Sequence, residues 1–100
     1  MNWFGTIVHA QFPFGGHYGL ALDADENNWK LFVISSKPHL SEREDCLPIS
    51  PSEYPVPFTQ DSFVKIGDLH EISDEDIDQI YPDSLPSEFL NKVERLLDRR

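Results

Sequence analysis

The sequence predicts a mainly β fold, a small curled β-barrel with C-terminal helices, and three observations indicate it. Short stretches rich in β-branched and aromatic residues recur over residues 5–67, between clusters of Gly, Pro, Asp and Asn. From Ser73 onward the apolar residues recur at helical spacing. The length of 100 residues is close to the commonest domain size. We therefore expect one domain over residues 1–100, with the barrel in 1–70 and a helical segment in 71–100.

The first three strands are expected within residues 5–36. Residues 6–12 alternate, so that Val8 and Phe12 share the better core face while His9 points the other way. A Gly-rich loop then leads to a strand over 17–22, and an acidic turn leads to a third strand over 29–34. That third segment is apolar apart from one lysine, as expected of a central strand.

The middle of the chain predicts short edge strands and one further long strand. Residues 37–45 are polar and are expected to form a surface loop. Four prolines between residues 46 and 58 exclude a helix and leave edge strands at 47–49 and 56–58. Residues 62–67 predict the last strand. The expected core includes one residue of each main strand: Val8, Leu20, Val33 and Val64.

Two helices are expected at the C-terminus. Ser73, followed by three acidic residues, predicts the start of a short helix that runs to about Ile80. Ser84 or a near neighbour is expected to cap a second helix, with Pro86 in its first turn. One face of this helix carries its apolar residues, Leu85, Phe89, Leu90, Val93, Leu96 and Leu97.

The charge is strongly acidic and unevenly distributed. Eighteen acidic residues against eight basic ones give a net charge of −10, which repels polyanions at long range. Residues 1–22 contain no Asp, Glu, Lys or Arg, whereas residues 71–100 hold nine of the eighteen acids. A surface that binds an anion would therefore use the first part of the chain, where His9 and His17 are the ionisable side chains.

The composition also indicates the cellular compartment and whether a cofactor is needed. Cys46 is the only cysteine, and the histidines lack the spacing of a zinc site, so we expect a cytoplasmic protein with no metal or other cofactor. No apolar run approaches the roughly 20 residues that span a membrane, so no membrane association is expected.

Four segments, taken in order, carry a family resemblance. They are Gly5-Thr-Ile-Val with Phe12-Pro-Phe-Gly-Gly, then His17-Tyr-Gly-Leu-Ala-Leu22, Val33-Ile-Ser-Ser36, and Asp61-Ser-Phe-Val-Lys-Ile-Gly-Asp-Leu69 with Ile72-Ser-Asp. In this order and spacing the chain resembles the MazF/PemK-type toxins of bacterial toxin–antitoxin pairs. The resemblance implies an SH3-like β-barrel and an endoribonuclease that cuts single-stranded RNA without a metal. It also implies a homodimer that an antitoxin protein neutralises.

The resemblance also implies where the site lies. It assigns catalysis to His17, Ser35 and Ser36, and substrate binding to the loop of Phe14, Gly15 and Gly16. The family has an arginine where this chain has His17. Metal-free RNA cleavage needs a base, an acid and groups that stabilise the phosphate charge, and a histidine can act as acid or base near neutral pH.

Each of these residues also has a structural interpretation. His17 could simply open a strand, and Ser35 with Ser36 could satisfy local backbone groups at a turn. His9 could join the site, or it could be a solvated histidine.

Three functions therefore remain open from the sequence. The first is a toxin-like endoribonuclease with a histidine-adapted site. The second is a catalytically degenerate barrel that acts as a binding or regulatory module. The third is an acidic inhibitor-type protein that binds a basic partner.

Overall fold

Six strands form one antiparallel sheet in this computed structural model, which describes residues 3–82 and 85–98. The elements in chain order are β1 (Ile7–Phe12), β2 (Gly15–Ala24), β3 (Asn28–Ser35), a 3-10 helix (Pro38–Glu42), β4 (Cys46–Ile49), β5 (Ser62–Ser73), a 3-10 helix (Asp74–Asp76), β6 (Ile77–Tyr81) and α1 (Ser87–Asp98). The strand order is β4-β5-β3-β2-β1-β6. The predicted mainly β fold is confirmed.

The sheet is curled but not closed into a barrel. Within the described residues, β4 and β6 are its two edges and do not pair with each other. β4 has only four residues, and one of them is Pro48, which has no N–H to donate to a further strand. The long strand β5 pairs with both β3 and β4, and the chain then crosses to β6, which pairs with β1. Because the sheet curls, β1 also contacts β5.

The two faces of the sheet bury two apolar clusters. The first contains Leu20 and Val64 and is covered by α1 through Phe89 and Val93. The second lies on the opposite face and contains Val8, Val33 and other residues of β1, β2, β3 and β5. Val8, Leu20, Val33 and Val64 are each at most 2% exposed, so the predicted core residues are confirmed.

The predicted helix from Ser73 to Ile80 is wrong. Ser73 does accept a hydrogen bond from the Glu75 backbone N–H, as an N-cap would, but the helical segment ends after one 3-10 turn. Residues from another part of the chain hold the start of this turn. The backbone N–H of Asp74 donates to the Asn27 carbonyl, and Trp29 Nε1 donates to the Asp74 carboxylate. The following residues then gain a strand partner in β1 and become β6. Tertiary pairing therefore overrides the local capping signal.

Smaller departures concern the loops. Residues 56–58 form no strand, although Val56 and Phe58 pack partly buried against the first cluster. The expected surface loop over 37–45 contains a 3-10 helix that is anchored by Leu40, which is 1% exposed. The edge strand at 47–49 is confirmed within β4.

The C-terminal helix is confirmed, with Phe89 and Val93 on its buried face. Leu85, just before the helix, is buried with them. The expected cap at Ser84 lies outside the described residues.

Candidate functional site

A pocket of about 470 Å³ lies where the start of β2 and the end of β3 meet the segment 57–62. It combines ionisable, hydroxyl and aromatic side chains. The lining residues are His9, Gly16, His17, Tyr18, Ile34, Ser35, Ser36, Lys37, Pro57, Phe58, Thr59, Gln60 and Ser62.

The charge of this lining is opposite to that of the molecule. Among the described residues that line the pocket there is no Asp or Glu, and Lys37 supplies a positive charge beside the imidazoles of His9 and His17. The whole chain carries a net charge of −10. The lining of the pocket therefore repels an anionic group less than the acidic surface of the rest of the molecule does.

Two strands bring His9 into the pocket and hold it there. Asp78 on β6 lies beside β1 and accepts two hydrogen bonds on its Oδ2, from His9 Nδ1 at 2.9 Å and from Gln11 Nε2 at 2.7 Å. The bond from Gln11 and then the bond from His9 lower the pKa of Asp78, so this carboxyl is ionised at neutral pH. An ionised carboxylate has only acceptor sites, and the hydrogen bond therefore places a proton on Nδ1 of His9. The second ring nitrogen, Nε2, is not used by this bond.

The ring of His9 is fixed by packing as well as by this bond. It lies edge-on to Tyr18, with ring centroids 5.1 Å apart and an interplanar angle of 81°. It also lies over Gly16, because a Cβ on that residue would be 3.1 Å from His9 Cε1 and 3.2 Å from Gln11 Nε2. The glycine thus makes room for the His9 and Gln11 side chains.

His17 reaches the pocket from a different direction. Its ring centroid is 5.1 Å from that of Phe14 and 6.2 Å from that of Phe12, which belongs to the second cluster on the face opposite His9. It therefore stands at the rim between the pocket and an aromatic group. Burial, and then the positive charges of His9, Lys37 and Lys65, lower the pKa of His17, which favours its neutral form at pH 7.

The predicted serines lie on the opposite wall. Ser35 ends β3, and its hydroxyl accepts a long hydrogen bond of 3.4 Å from the backbone N–H of Lys37. Ser36 and Lys37 follow it and are exposed. The three residues thus present two hydroxyls and one ammonium group at a turn, and each of these groups can donate a hydrogen bond.

The Gly-rich loop is shorter than expected. β1 and β2 are joined by Pro13 and Phe14 alone, and Gly15 has a φ of +124°, a conformation that glycine adopts without strain. Phe14 and Gly15 lie outside the lining that the described residues give the pocket. Phe14 is 54% exposed and stacks on Phe12 with ring centroids 5.4 Å apart.

The structure therefore unites five of the seven residues singled out in the sequence. His9, Gly16, His17, Ser35 and Ser36 line one pocket, and Phe14 and Gly15 stand beside it. Asp78, Gln11 and Lys37 were missed. Sequence reasoning missed Asp78 because residues 73–80 carry a helix-like pattern. The residue reaches His9 only through the pairing of β6 with β1.

Residues 3–82 and 85–98 contain neither a metal-binding cluster nor a membrane-spanning helix. No group of three or more His, Cys, Asp or Glu side chains could hold a metal ion. No helix in the same ranges is long and apolar enough to cross a membrane.

Comparison with known proteins adds no family assignment. No protein-family model matches the chain, and no curated protein sequence is significantly similar to it.

Proposed function

We propose that this protein is an endoribonuclease that cleaves single-stranded RNA in the pocket between β2, β3 and the segment 57–62. The observation that carries the proposal is the composition of that pocket, which has two histidines, three serines, a threonine and a lysine, with no carboxylate among its described lining residues. These are the groups that metal-independent cleavage at phosphorus requires. They lie together in a molecule whose net charge is otherwise −10.

The roles follow from the environment of each residue. His17, whose pKa is lowered, is neutral at pH 7 and takes the proton of the attacking 2′-hydroxyl. Ser35, Ser36 and Lys37 contact the phosphate and stabilise the charge that it gains in the transition state. The exposed ring of Phe14 stacks on a base next to the cleaved bond, since aromatic faces bind bases of unpaired strands.

The acidic surface favours a short unpaired substrate. A duplex would bring many phosphates near the protein, and long-range repulsion would oppose it. A single strand that enters one pocket brings few phosphates close to the acids. We accordingly propose that affinity comes from the pocket and not from the net charge.

The proposal also includes the type of β fold. We infer an opened variant of the SH3-like barrel, because β1, β2, β3 and β5 are neighbours in the sheet and a 3-10 helix leads to β6, which returns to β1. A homodimer and neutralisation by an antitoxin protein belong to this proposal through the resemblance to MazF/PemK-type toxins.

The test is cleavage of mixed-sequence single-stranded RNA by the purified protein in the presence of a chelator. We expect fragments that end in a 2′,3′-cyclic phosphate and begin with a 5′-hydroxyl. Replacement of the base by His17→Ala should lower the rate by about 100-fold or more. The matched control is His39→Ala, since His39 is exposed on the 3-10 helix Pro38–Glu42 and should leave the rate unchanged.

Two outcomes contradict the proposal. Intact RNA after incubation with folded wild-type protein would exclude the enzyme, and RNA binding without cleavage would then indicate a binding module. Equal rates for the wild type and His17→Ala would remove His17 from the reaction.

A further inference from the structure

We infer that His9 is the general acid of this reaction and that Asp78, supported by Gln11, is the residue that positions it. The inference deepens the proposed ribonuclease function and rests on it. It assigns roles to three residues on β1 and β6.

The first step of the argument is the geometry of His9. Its ring is held through Nδ1 by Asp78 at 2.9 Å, by the edge-on contact with Tyr18, and by its position over Gly16. Three separate contacts therefore hold the ring in one orientation. An acid or base must hold its proton within hydrogen-bond reach of the reacting atom.

The second step is the chemistry that the hydrogen bond leaves available. Because Nδ1 carries a proton that points to Asp78, the atom that can exchange a proton in the pocket is Nε2. When Nε2 is also protonated, the imidazolium faces a carboxylate that balances its charge. When Nε2 loses its proton, the ring is left as the tautomer that Asp78 already holds. Gln11 keeps the carboxylate in place through its bond of 2.7 Å to the same oxygen.

The third step decides which histidine accepts a proton in the reaction and which donates one. His9 and His17 both line the pocket and lie on the paired strands β1 and β2, where His9 is opposite Tyr18, the residue after His17. Cleavage needs one group to accept a proton and another to donate one. His9 has the Asp78 carboxylate at 2.9 Å, which balances the charge of the imidazolium form. His17 instead packs against Phe12 and Phe14. We therefore assign His9 as the donor.

The complete step is balanced with these groups. The 2′-oxygen forms a bond to phosphorus while its proton passes to His17. The bond between phosphorus and the 5′-oxygen breaks, and that oxygen takes the proton from Nε2 of His9. The products are a 2′,3′-cyclic phosphate and a free 5′-hydroxyl, and a later exchange of protons with water restores both histidines.

The decisive experiment replaces the leaving 5′-oxygen by sulfur in a short RNA that contains the mapped cleavage site. A thiolate leaves without protonation, so loss of the acid matters for the oxygen substrate and not for the sulfur substrate. We expect His9→Ala to lower the rate about 100-fold or more with oxygen and less than about 10-fold with sulfur. His17→Ala, which removes the base, should slow both substrates alike. His39→Ala again serves as the unaffected control.

The role of Asp78 is tested by a spectroscopic measurement that needs no activity. Nitrogen NMR of the imidazole rings at high pH should find His9 of the wild type protonated on Nδ1. In Asp78→Asn the side-chain amide can donate to Nδ1, and we expect the proton to move to Nε2. Asp76→Asn is the matched control, because it removes an exposed carboxylate two residues away without touching His9. The same Asp78→Asn protein should lose cleavage of the oxygen substrate more than that of the sulfur substrate.

The outcomes separate this inference from the function on which it rests. If the wild type cleaves neither RNA, the proposed function and this inference both fail. If the wild type cleaves RNA but His9→Ala is equally slow with both substrates, or as fast as the wild type, only the general acid is excluded. A wild-type His9 protonated on Nε2, or a tautomer unchanged in Asp78→Asn, would exclude the positioning role of Asp78.

Discussion

At the scale of single residues, neighbours decide what each histidine can do. His9 and His17 lie on adjacent strands and both line the pocket, yet their surroundings differ. His9 faces a carboxylate that accepts its Nδ1 proton, whereas His17 packs against Phe12 and Phe14 and near positive charges. In the reaction that we propose, these different surroundings give the two histidines opposite roles in proton transfer.

The lowered pKa of His17 predicts a pH dependence of stability. The unfolded chain binds the His17 proton more readily than the folded chain, because burial and the charges of His9, Lys37 and Lys65 oppose protonation in the fold. The contribution of His17 to stability is therefore complete above its ordinary pKa of about 6.5 and is lost as the pH falls through the lowered value. In urea unfolding at pH 7.5 and at pH 5, the wild type should lose more stability on acidification than His17→Gln.

The control for this experiment is His39→Gln, which removes an exposed histidine that lies outside the pocket lining. Acid should weaken this variant as much as the wild type. Equal losses for the wild type and His17→Gln would show that protonation of His17 does not oppose folding.

At the scale of elements, the strand β6, which carries Asp78, stands where the sequence predicts a helix. The segment after Ser73 has the acids and the cap of a helix, but its backbone hydrogen bonds go to the turn before β3 and then to β1. As a strand, β6 places Asp78 beside His9. A helix there would not form this ladder, and His9 would have no strand neighbour on the outer side of β1.

The helix α1 should be essential for stability because it covers the first cluster. Phe89 is fully buried and its ring lies 5.0 Å from that of Tyr54. Phe89→Ala leaves a cavity in this cluster and should lower the free energy of unfolding by about 3–5 kcal/mol. Urea unfolding measures the change. Glu94→Ala on the exposed face of the same helix should stay within about 0.5 kcal/mol of the wild type, and a similar small change for Phe89→Ala would contradict the packing described above.

At the scale of the whole molecule, the sheet ends in an edge that is open to another chain. Within the described residues β6 pairs on one side only, with β1, and Ile80 on this strand is 39% exposed. A strand edge with an exposed apolar side chain is a surface that proteins use for pairing. The homodimer that we propose from the resemblance would pair along this edge.

The expected mass of the particle in solution is therefore twice the 11.5 kDa of one chain. Sedimentation equilibrium at micromolar concentration measures it. Ile80→Lys, which places a charge on the edge strand, should shift the equilibrium toward the monomer, while Lys92→Glu on the exposed side of α1 should not. A wild-type mass near 11.5 kDa would contradict the dimer.

The sequence by itself determined β1, β2, β3 and α1. Alternation of apolar residues specified β1, a continuous apolar run specified β3, turn residues specified the hairpins, and helical spacing specified α1. Each of these signals acts between residues that are close in the chain. It also predicted His9, Gly16, His17, Ser35 and Ser36, which the fold gathers around one pocket.

Only the tertiary structure decided how far the sheet closes and which carboxylate meets His9. The pairing of β6 with β1 joins residues 69 positions apart, as in the bond between His9 and Asp78. Its stabilisation comes from a ladder and from burial that exist only once the sheet has formed, so no local pattern could reveal it. For the same reason, a segment with a helical cap became the strand that completes the site.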